Sequence, residues 1–349
     1  MVYKVSETEK MSRNSTKILK RFILLNGLFF YDTLFTDQTE GHEKGMTEII
    51  YMDIDGTLRD EQKGIPASAV WALDQCRRVG IKVVICTGRN PGSVQEDVRA
   101  LTTDGIISGG GCYITYHGVD YWKKHFSGRV LGEVLTLALE RQLSLAMEAD
   151  QKIFMDYNAA AFYREDFQHK ISGSSREVQE IIREQNKIPY ENNIGELQSR
   201  PCEIHKICMF GKKSAIDRTE MELAQKAEVI QKKEWNGQWY LELLPKGCHK
   251  GKAVRWMNDF LGILKENSMS FGDSENDIAM IKETGTGILV GNSSPEMIKY
   301  ASSVCEPVTE DGIYKELVRR KVILPYGKER RKGNEKAVVA GGSRLSDLS

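Results

Sequence analysis

Short, uninterrupted apolar runs alternate with helical segments between residues 48 and 111, and again between 250 and 302. Nothing else in the chain limits its fold as tightly. Runs such as "EIIYM", "IKVVICTG" and "DGIISGGG" leave no strand face for solvent, so both sides of their sheet must be covered. The segments between them supply that cover. "ASAVWALDQCRRVG" reads as a helix stopped by Gly80, and "PGSVQEDVRAL" as a second with Pro91 near its start. After a long interruption the alternation resumes with a helix at "KGKAVRWMNDFLGI", a strand at "NSMSFGD", a helix at "SENDIAMIKETG", a strand at "TGILVG" and a helix at "SPEMIKYASS". The predicted class is α/β, a parallel sheet with helices on both faces. Such sheets bind ligands beyond the carboxyl ends of their strands, where the strand order reverses.

The interruption, residues 127–240, has a different character. Helical stretches at "LGEVLTLALERQ", "SREVQEIIREQ" and "AIDRTEMELAQKAE" are mixed with strands, and "EVIQKKEWNGQWYLELLP" places two β-runs about Asn236-Gly237, a strong hairpin signal. This segment, residues 127–240, is expected to be an α+β domain inserted into a core made of residues 46–126 and 241–324. Residues 1–45 are read as a poorly ordered extension outside the core, with Met46 just before the first strand of the alternation. Their largely apolar run "FILLNGLFFY" is short of the ~20 residues that span a bilayer, and the polar "DTLFTDQTEGHEKG" after it offers no signal-peptidase site. No stable membrane insertion is expected. Residues 325–349 lack apolar periodicity and read as a disordered tail.

Charge removes other classes of function. Lys plus Arg and Asp plus Glu number 49 each, so no global basic field exists to hold nucleic acid or an anionic membrane. The seven cysteines are scattered and form no C-x-x-C pair, the pattern of reduced thiols in a cytoplasmic protein. Cys202, His205 and Cys208 in "CEIHKIC" have ligand-type side chains, yet on a strand His205 faces opposite to the two cysteines, and no fourth ligand lies nearby. A sheet strand is the expectation there.

Polar residues gather where the apolar strands end. The first strand runs into Asp53, Asp55, Gly56 and Thr57. The second ends in "CTGRN", with Thr87 and Gly88 at its tip, and a later helix opens at Lys250. The strand after it ends in "GDSENDIAM", which supplies Asp273, Asn276 and Asp277. Two acids as close as Asp53 and Asp55 repel unless a cation or a shared proton lies between them. Taken in this order, the four pieces resemble the motifs of the haloacid dehalogenase superfamily of phosphohydrolases. They are most similar to its Cof-type, subclass IIB branch, with "DIDGTL", "TGR", "KG" and "GDSENDIAMI…TG…VGN", and "EDGI" near the end. The resemblance covers about residues 46–324.

It implies a Rossmann-like core and a phosphatase of small phosphorylated metabolites, sugar phosphates foremost. Asp53 would be the nucleophile that forms an aspartyl-phosphate, and Asp55 the general acid and base. Lys250 would offset charge at the nucleophile. Thr87 and the Gly88 N–H would hold the transferred phosphoryl group, and Asn276 the loop or a phosphate oxygen. The implied cofactor is Mg²⁺, held by Asp53, the Asp55 carbonyl, Asp273 and Asp277, since an oxygen-only set suits that ion. Asp55 favours hydrolysis over slow phosphoenzyme breakdown. A sugar phosphomutase and a non-catalytic regulatory protein on the same scaffold are the alternatives. A dinucleotide site is disfavoured, because acids rather than a glycine fingerprint follow the first strand. "SGGG" at 108–111 lacks that fingerprint as well, and its glycines are expected to let the chain pass close to the site. Substrate choice is assigned to the inserted domain, the cap of that branch, with Asp156, Tyr157 and Arg164 as candidates. Arg89 is expected to face either substrate or a surface carboxylate, and His249 to be structural.

Overall fold

A computed structural model describes residues 18–25, 28–35, 46–185, 191–199 and 202–327. Two strands precede the alternating region: β1 (Ile18–Leu25) and β2 (Leu28–Phe35) pair antiparallel, with Leu25 opposite Leu28. Of residues 1–45, expected to be a poorly ordered extension, only those of these two strands are described. The hairpin belongs to a unit separate from the remainder, Thr47 onward. Apart from residues 325–327, the tail expected to be disordered lies outside the described residues.

In the larger unit the apolar runs become β3 (Ile49–Met52), β4 (Lys82–Cys86) and β5 (Gly105–Ser108). The chain then forms β6 (Tyr113–Tyr116) and β7 (Val119–Lys123) before entering the cap. The cap contributes β8 (Ser144–Glu148), β9 (Ile153–Met155), β10 (Glu191–Asn193), β11 (Lys206–Gly211), β12 (Ala227–Trp235) and β13 (Gln238–Pro245). Returning to the core, it adds β14 (Ser268–Gly272), β15 (Thr286–Val290) and β16 (Ser303–Cys305).

The core sheet has the order β16-β15-β14-β3-β4-β5-β6-β7. It is parallel from β16 to β5, and β6 and β7 extend it antiparallel. Strand β3 shows why its run carries no polar residue. Ile50 and Met52 pack on one face with residues of helices Ala67–Arg78 and Gly312–Arg319, and Ile49 and Tyr51 pack on the other with helix Lys250–Leu261. All four side chains are fully buried, each aliphatic one contributing about 1.5–3 kcal/mol. From β3 the chain proceeds outward through β4 and β5 and later returns on the opposite side through β14. The order therefore reverses at β3, and the carboxyl ends of β3, β4 and β14 share one edge.

Two local expectations change. "PGSVQEDVRAL" is not one helix but a 3₁₀ turn at Pro91–Ser93 and a short helix at Glu96–Arg99. Asn90 accepts the Ser93 N–H and Val94 is extended, which breaks the helix and lets Gln95 reach the first loop. The "SPEMIKYASS" segment likewise winds as a 3₁₀ helix at Pro295–Tyr300.

The cap sheet has the order β10-β9-β8-β11-β13-β12. Its hairpin turns at Asn236 and Gly237, both with positive φ (47° and 75°), as the two-residue turn requires. Strand β13 stays in this sheet through Pro245, five residues beyond the boundary expected at 240. One sheet face, with Ile207, Met209, Leu241 and Leu243, packs under helices Gly128–Arg141 and Lys213–Leu223. On the other face helix Tyr157–Ile171 covers Ala146, Cys208, Phe210 and Tyr240. Cap and core are joined by backbone hydrogen bonds from Phe126 N–H to the Ile204 carbonyl (2.8 Å) and from Gly92 N–H to the Asp150 carbonyl (2.7 Å).

Candidate active site

The first acid lies one residue past β3. Its backbone N–H donates to the Phe271 carbonyl of β14 (3.1 Å), which sets Asp53 beside the end of the neighbouring strand, where Asp273 and Asp277 follow. Asp53, Asp273 and Asp277 offer carboxylate oxygens that all lie within 4.8 Å of one another. Lys250 enters from the start of its helix and donates to Asp53 Oδ1 (2.6 Å) and Asp277 Oδ1 (2.7 Å). The lysine and both acids are buried. Residues separated by more than two hundred positions are thus brought to one end of one sheet.

The local sequence fixes each side chain. Gly56 has φ +81°, and a Cβ there would stand 2.4 Å from Asp273 Oδ2, so the turn after the acids needs glycine on both counts. Thr57 is fully buried and donates to Asp273 Oδ1 (2.9 Å), while Asn292 donates to Asp273 Oδ2 (3.3 Å). Asp277 Oδ2 accepts the backbone N–H groups of Asp273 (3.1 Å) and Ser274 (3.0 Å), which closes the loop after β14. His249 Nδ1 accepts the Lys252 N–H (3.2 Å), a cap for the helix that presents Lys250. A Gly56→Ala protein is expected to lose about 1–3 kcal/mol of stability from backbone strain alone, measurable by urea unfolding.

Charge balance gives this cluster its character. Three carboxylates against one ammonium leave two negative charges uncompensated when all are ionised. Burial, followed by the nearby Asp277 charge, pushes the Asp53 carboxyl well up from the ordinary range. Asp273 is raised to about 7 by the same two causes. Burial works against the Lys250 charge, but Asp277 and Asp53 outweigh it and hold the lysine protonated. A divalent cation closes the balance, and an oxygen-only donor set suits Mg²⁺. The residues present therefore fit that ion.

Asp55 stands apart from the cluster. Its two oxygens accept from Arg89 Nε (2.6 Å) and Nη2 (2.8 Å), and Oδ1 also accepts from Gln95 (3.2 Å). Burial would raise its carboxyl, but the Arg89 fork and the Gln95 amide overcome this and hold it below the usual range. So Arg89 faces a carboxylate, that of the part-exposed Asp55 in the first loop. Only the Asp55 side chain is directed elsewhere. Its backbone carbonyl, the ligand implied by resemblance, stays in the first loop.

The second strand's tip is also in place. Thr87 is buried beside the loop, and its Oγ1 accepts the Arg89 N–H (3.1 Å). The Asn276 amide lies 3.6 Å from where a Gly88 Cβ would stand, which brings those two residues together across the sheet edge. The glycines of "SGGG" bind back to this loop, Gly109 N–H to the Arg89 carbonyl (2.6 Å) and Gly110 N–H to the Thr87 carbonyl (3.0 Å). Asp156 caps helix Tyr157–Ile171 by accepting the Ala159 N–H (2.8 Å), Tyr157 is 80% exposed, and Arg164 is exposed. Cys202, His205 and Cys208 form no metal-ligand cluster among the described residues.

Sequence reasoning missed Gln95, placed by the break in its helix, and Lys206, a cap residue whose ammonium donates to the Gly88 carbonyl (3.2 Å). The alternation of "HKICMF" carried a signal for Lys206, since it shares a sheet face with Cys208 and Phe210.

Comparison with known proteins gives concordant matches. The family model for haloacid dehalogenase-like hydrolases matches residues 50–317. YkrA of Bacillus subtilis (strain 168) is 26% identical over 267 residues, 76% of this chain and 95% of that protein. The 5-amino-6-(5-phospho-D-ribitylamino)uracil phosphatase YitU of the same organism is 23% identical over 270 residues, 76% of this chain and 94% of its own length. Among solved structures, the subclass IIB sugar phosphatase BT4131 covers 79% of this chain and 100% of its own, with a TM-score of 0.62 at 22% identity.

Proposed function

Because the chain belongs to the haloacid dehalogenase-like hydrolase family, of Cof type, we propose that it is a Mg²⁺-dependent phosphatase of small phosphorylated metabolites acting through an aspartyl-phosphate on Asp53. Phosphoric monoester hydrolysis is the family chemistry. The observation that carries the finer reading is the Lys250 ammonium between Asp53 and Asp277, with Asp273 beside them at the switch point of the sheet. Sugar phosphates are the first substrate class. BT4131 is named a sugar phosphatase and YitU a phosphatase of a phosphoribityl compound, so both act on phosphates of hydroxylated carbon chains.

Lys250 takes Asp53 Oδ1, and no hydrogen bond among the described residues ties Oδ2, which is left to attack phosphorus. Thr87 and the Gly88 N–H hold the phosphoryl oxygens in line with that attack. Asp53, Asp273 and Asp277 would hold the cation, which when bound keeps Asp53 ionised and draws charge from the phosphoryl oxygens. The pairing of Asp55 bears on the order of events. Paired with Arg89 it is a carboxylate, ready to take a proton from the water that attacks the phosphoenzyme. To protonate the leaving oxygen in the first half-reaction, Asp55 must first leave the Arg89 fork and take up a proton from solvent, which it then donates to that oxygen.

Chelation tests the cation. Excess EDTA is expected to abolish hydrolysis of p-nitrophenyl phosphate, and added Mg²⁺ to restore it. Mg²⁺ at 100 times its Kd would also stabilise the fold by about 2.7 kcal/mol, read as a rise in Tm. Full activity in EDTA would remove this part of the proposal. Among the described residues no helix is long and apolar enough to cross a membrane.

A further inference from the structure

The near end of the cap sheet carries charge where its far end carries aromatic rings. On the face away from helices Gly128–Arg141 and Lys213–Leu223, strands β8, β11 and β13 present Glu148, Lys206 and Glu242. Glu148 and Lys206 are register partners, and Glu242 lies beside Cys208. Helix Tyr157–Ile171 packs on Ala146, Cys208, Phe210 and Tyr240 of this face, and its Tyr163 is close enough to feel the charges of Glu148 and Glu242. The near end is covered by the core loop that follows β4.

Lys206 is the residue that meets this loop. Its Nζ donates to Glu148 Oε1 (2.8 Å) and to the Gly88 carbonyl (3.2 Å), and the lysine and glutamate side chains are only 11% and 10% exposed. Among the described residues no partner takes the third ammonium N–H. A nearly buried ammonium with one donor unused costs free energy unless an oxygen arrives to accept it. That donor lies beside the residue whose N–H is assigned to the phosphoryl group. Next to it Glu148 offers carboxylate lone pairs, and the Arg89 charge also acts on this glutamate. A cation and a carboxylate side by side are matched by a group that accepts from one and donates to the other. An alcohol does both.

We propose that Lys206, held by Glu148, binds a hydroxyl group on the leaving-group carbon chain next to the phosphate ester and so selects hydroxylated phosphate esters over plain alkyl or aryl ones. The inference rests on the phosphatase reading above and adds the cap residues that choose the substrate. Its energetic basis is that a site built to hydrogen-bond an alcohol leaves buried polar groups unpaired when the alcohol is missing.

The test compares kcat/KM for matched esters, glycerol 1-phosphate against n-propyl phosphate, with glucose 6-phosphate, ribose 5-phosphate and p-nitrophenyl phosphate as further probes. The wild-type protein is expected to prefer the hydroxylated esters. In Lys206→Met both rates fall, because Lys206 also touches Gly88, but the preference for the hydroxylated ester falls by about tenfold or more. If the methionine variant does not fold, Glu148→Gln, which keeps the shape and weakens the acceptor, must show the same loss of preference. An equal fall for both esters, or a wild-type protein indifferent to the hydroxyls, overturns the proposal and leaves the phosphatase reading standing. That reading fails separately, if no ester is hydrolysed with Mg²⁺ or if turnover survives Asp53→Asn.

Discussion

The Asp53→Asn protein is expected to hydrolyse every phosphate ester at least about 10⁴-fold more slowly than wild type, since removing a covalent nucleophile leaves only binding and charge stabilisation at work. An amide oxygen cannot displace an alkoxide from phosphorus at a useful rate, and no other carboxylate can take over. Asp277 is occupied by Lys250 and by two backbone N–H groups, Asp273 by Thr57 and Asn292, and Asp55 by Arg89. The fold should survive the change. Asn keeps the shape and removes one of three clustered negative charges, so urea unfolding should show stability equal to or above wild type in the absence of Mg²⁺. A folded, inactive protein is the expected result. Retention of a tenth of the activity would show that position 53 is not the nucleophile.

The second large effect is expected at Lys250. In Lys250→Met the ammonium that balances Asp53 and Asp277 is gone, and the carboxylates stay buried. Breaking a buried pair by removing one partner costs about 3–5 kcal/mol, because the remaining charge is left uncompensated. Turnover should fall by about 10²–10³-fold, the scale of losing a preorganised electrostatic partner. The loss of stability should be largest without Mg²⁺ and smaller with it, because a second source of positive charge then meets the same carboxylates. Unfolding curves with and without the ion read this difference directly. A Lys250→Met protein as stable as wild type in EDTA would contradict the charge account of the cluster.

How far the sequence carried the reading depended on whether an interaction was written into one segment. "IIYM" could be placed at the sheet centre because all four residues are apolar, and both faces of β3 are buried as that requires. The strand-end carboxylates were visible in the sequence, and the sheet brings Asp53, Asp273 and Asp277 together, without the Asp55 side chain. The Arg89 pairing was not legible, because the partner that claims Arg89 lies thirty-four residues away on another strand's loop. Nor was the hairpin of β6 and β7. Its two-residue turn is His117-Gly118, with φ of 46° and 77°, and histidine fills the position where asparagine would have announced the turn. The split of the helix after Pro91 escaped because its apolar spacing is helical, while the Asn90 cap and the Arg89 contact to the Ser93 carbonyl decide the backbone. Lys206 was visible as a strand residue, but its approach to Gly88 depends on how cap and core dock.

Covalent catalysis at Asp53 is tested most directly by the stereochemical course at phosphorus, measured with a phosphorothioate ester made chiral there by sulfur and two oxygen isotopes and hydrolysed in water carrying the third isotope. Each in-line displacement inverts phosphorus, so attack by Asp53 followed by attack by water predicts net retention in the released thiophosphate. Net inversion would mean that water strikes the substrate in a single step, and the phosphoenzyme account would be wrong.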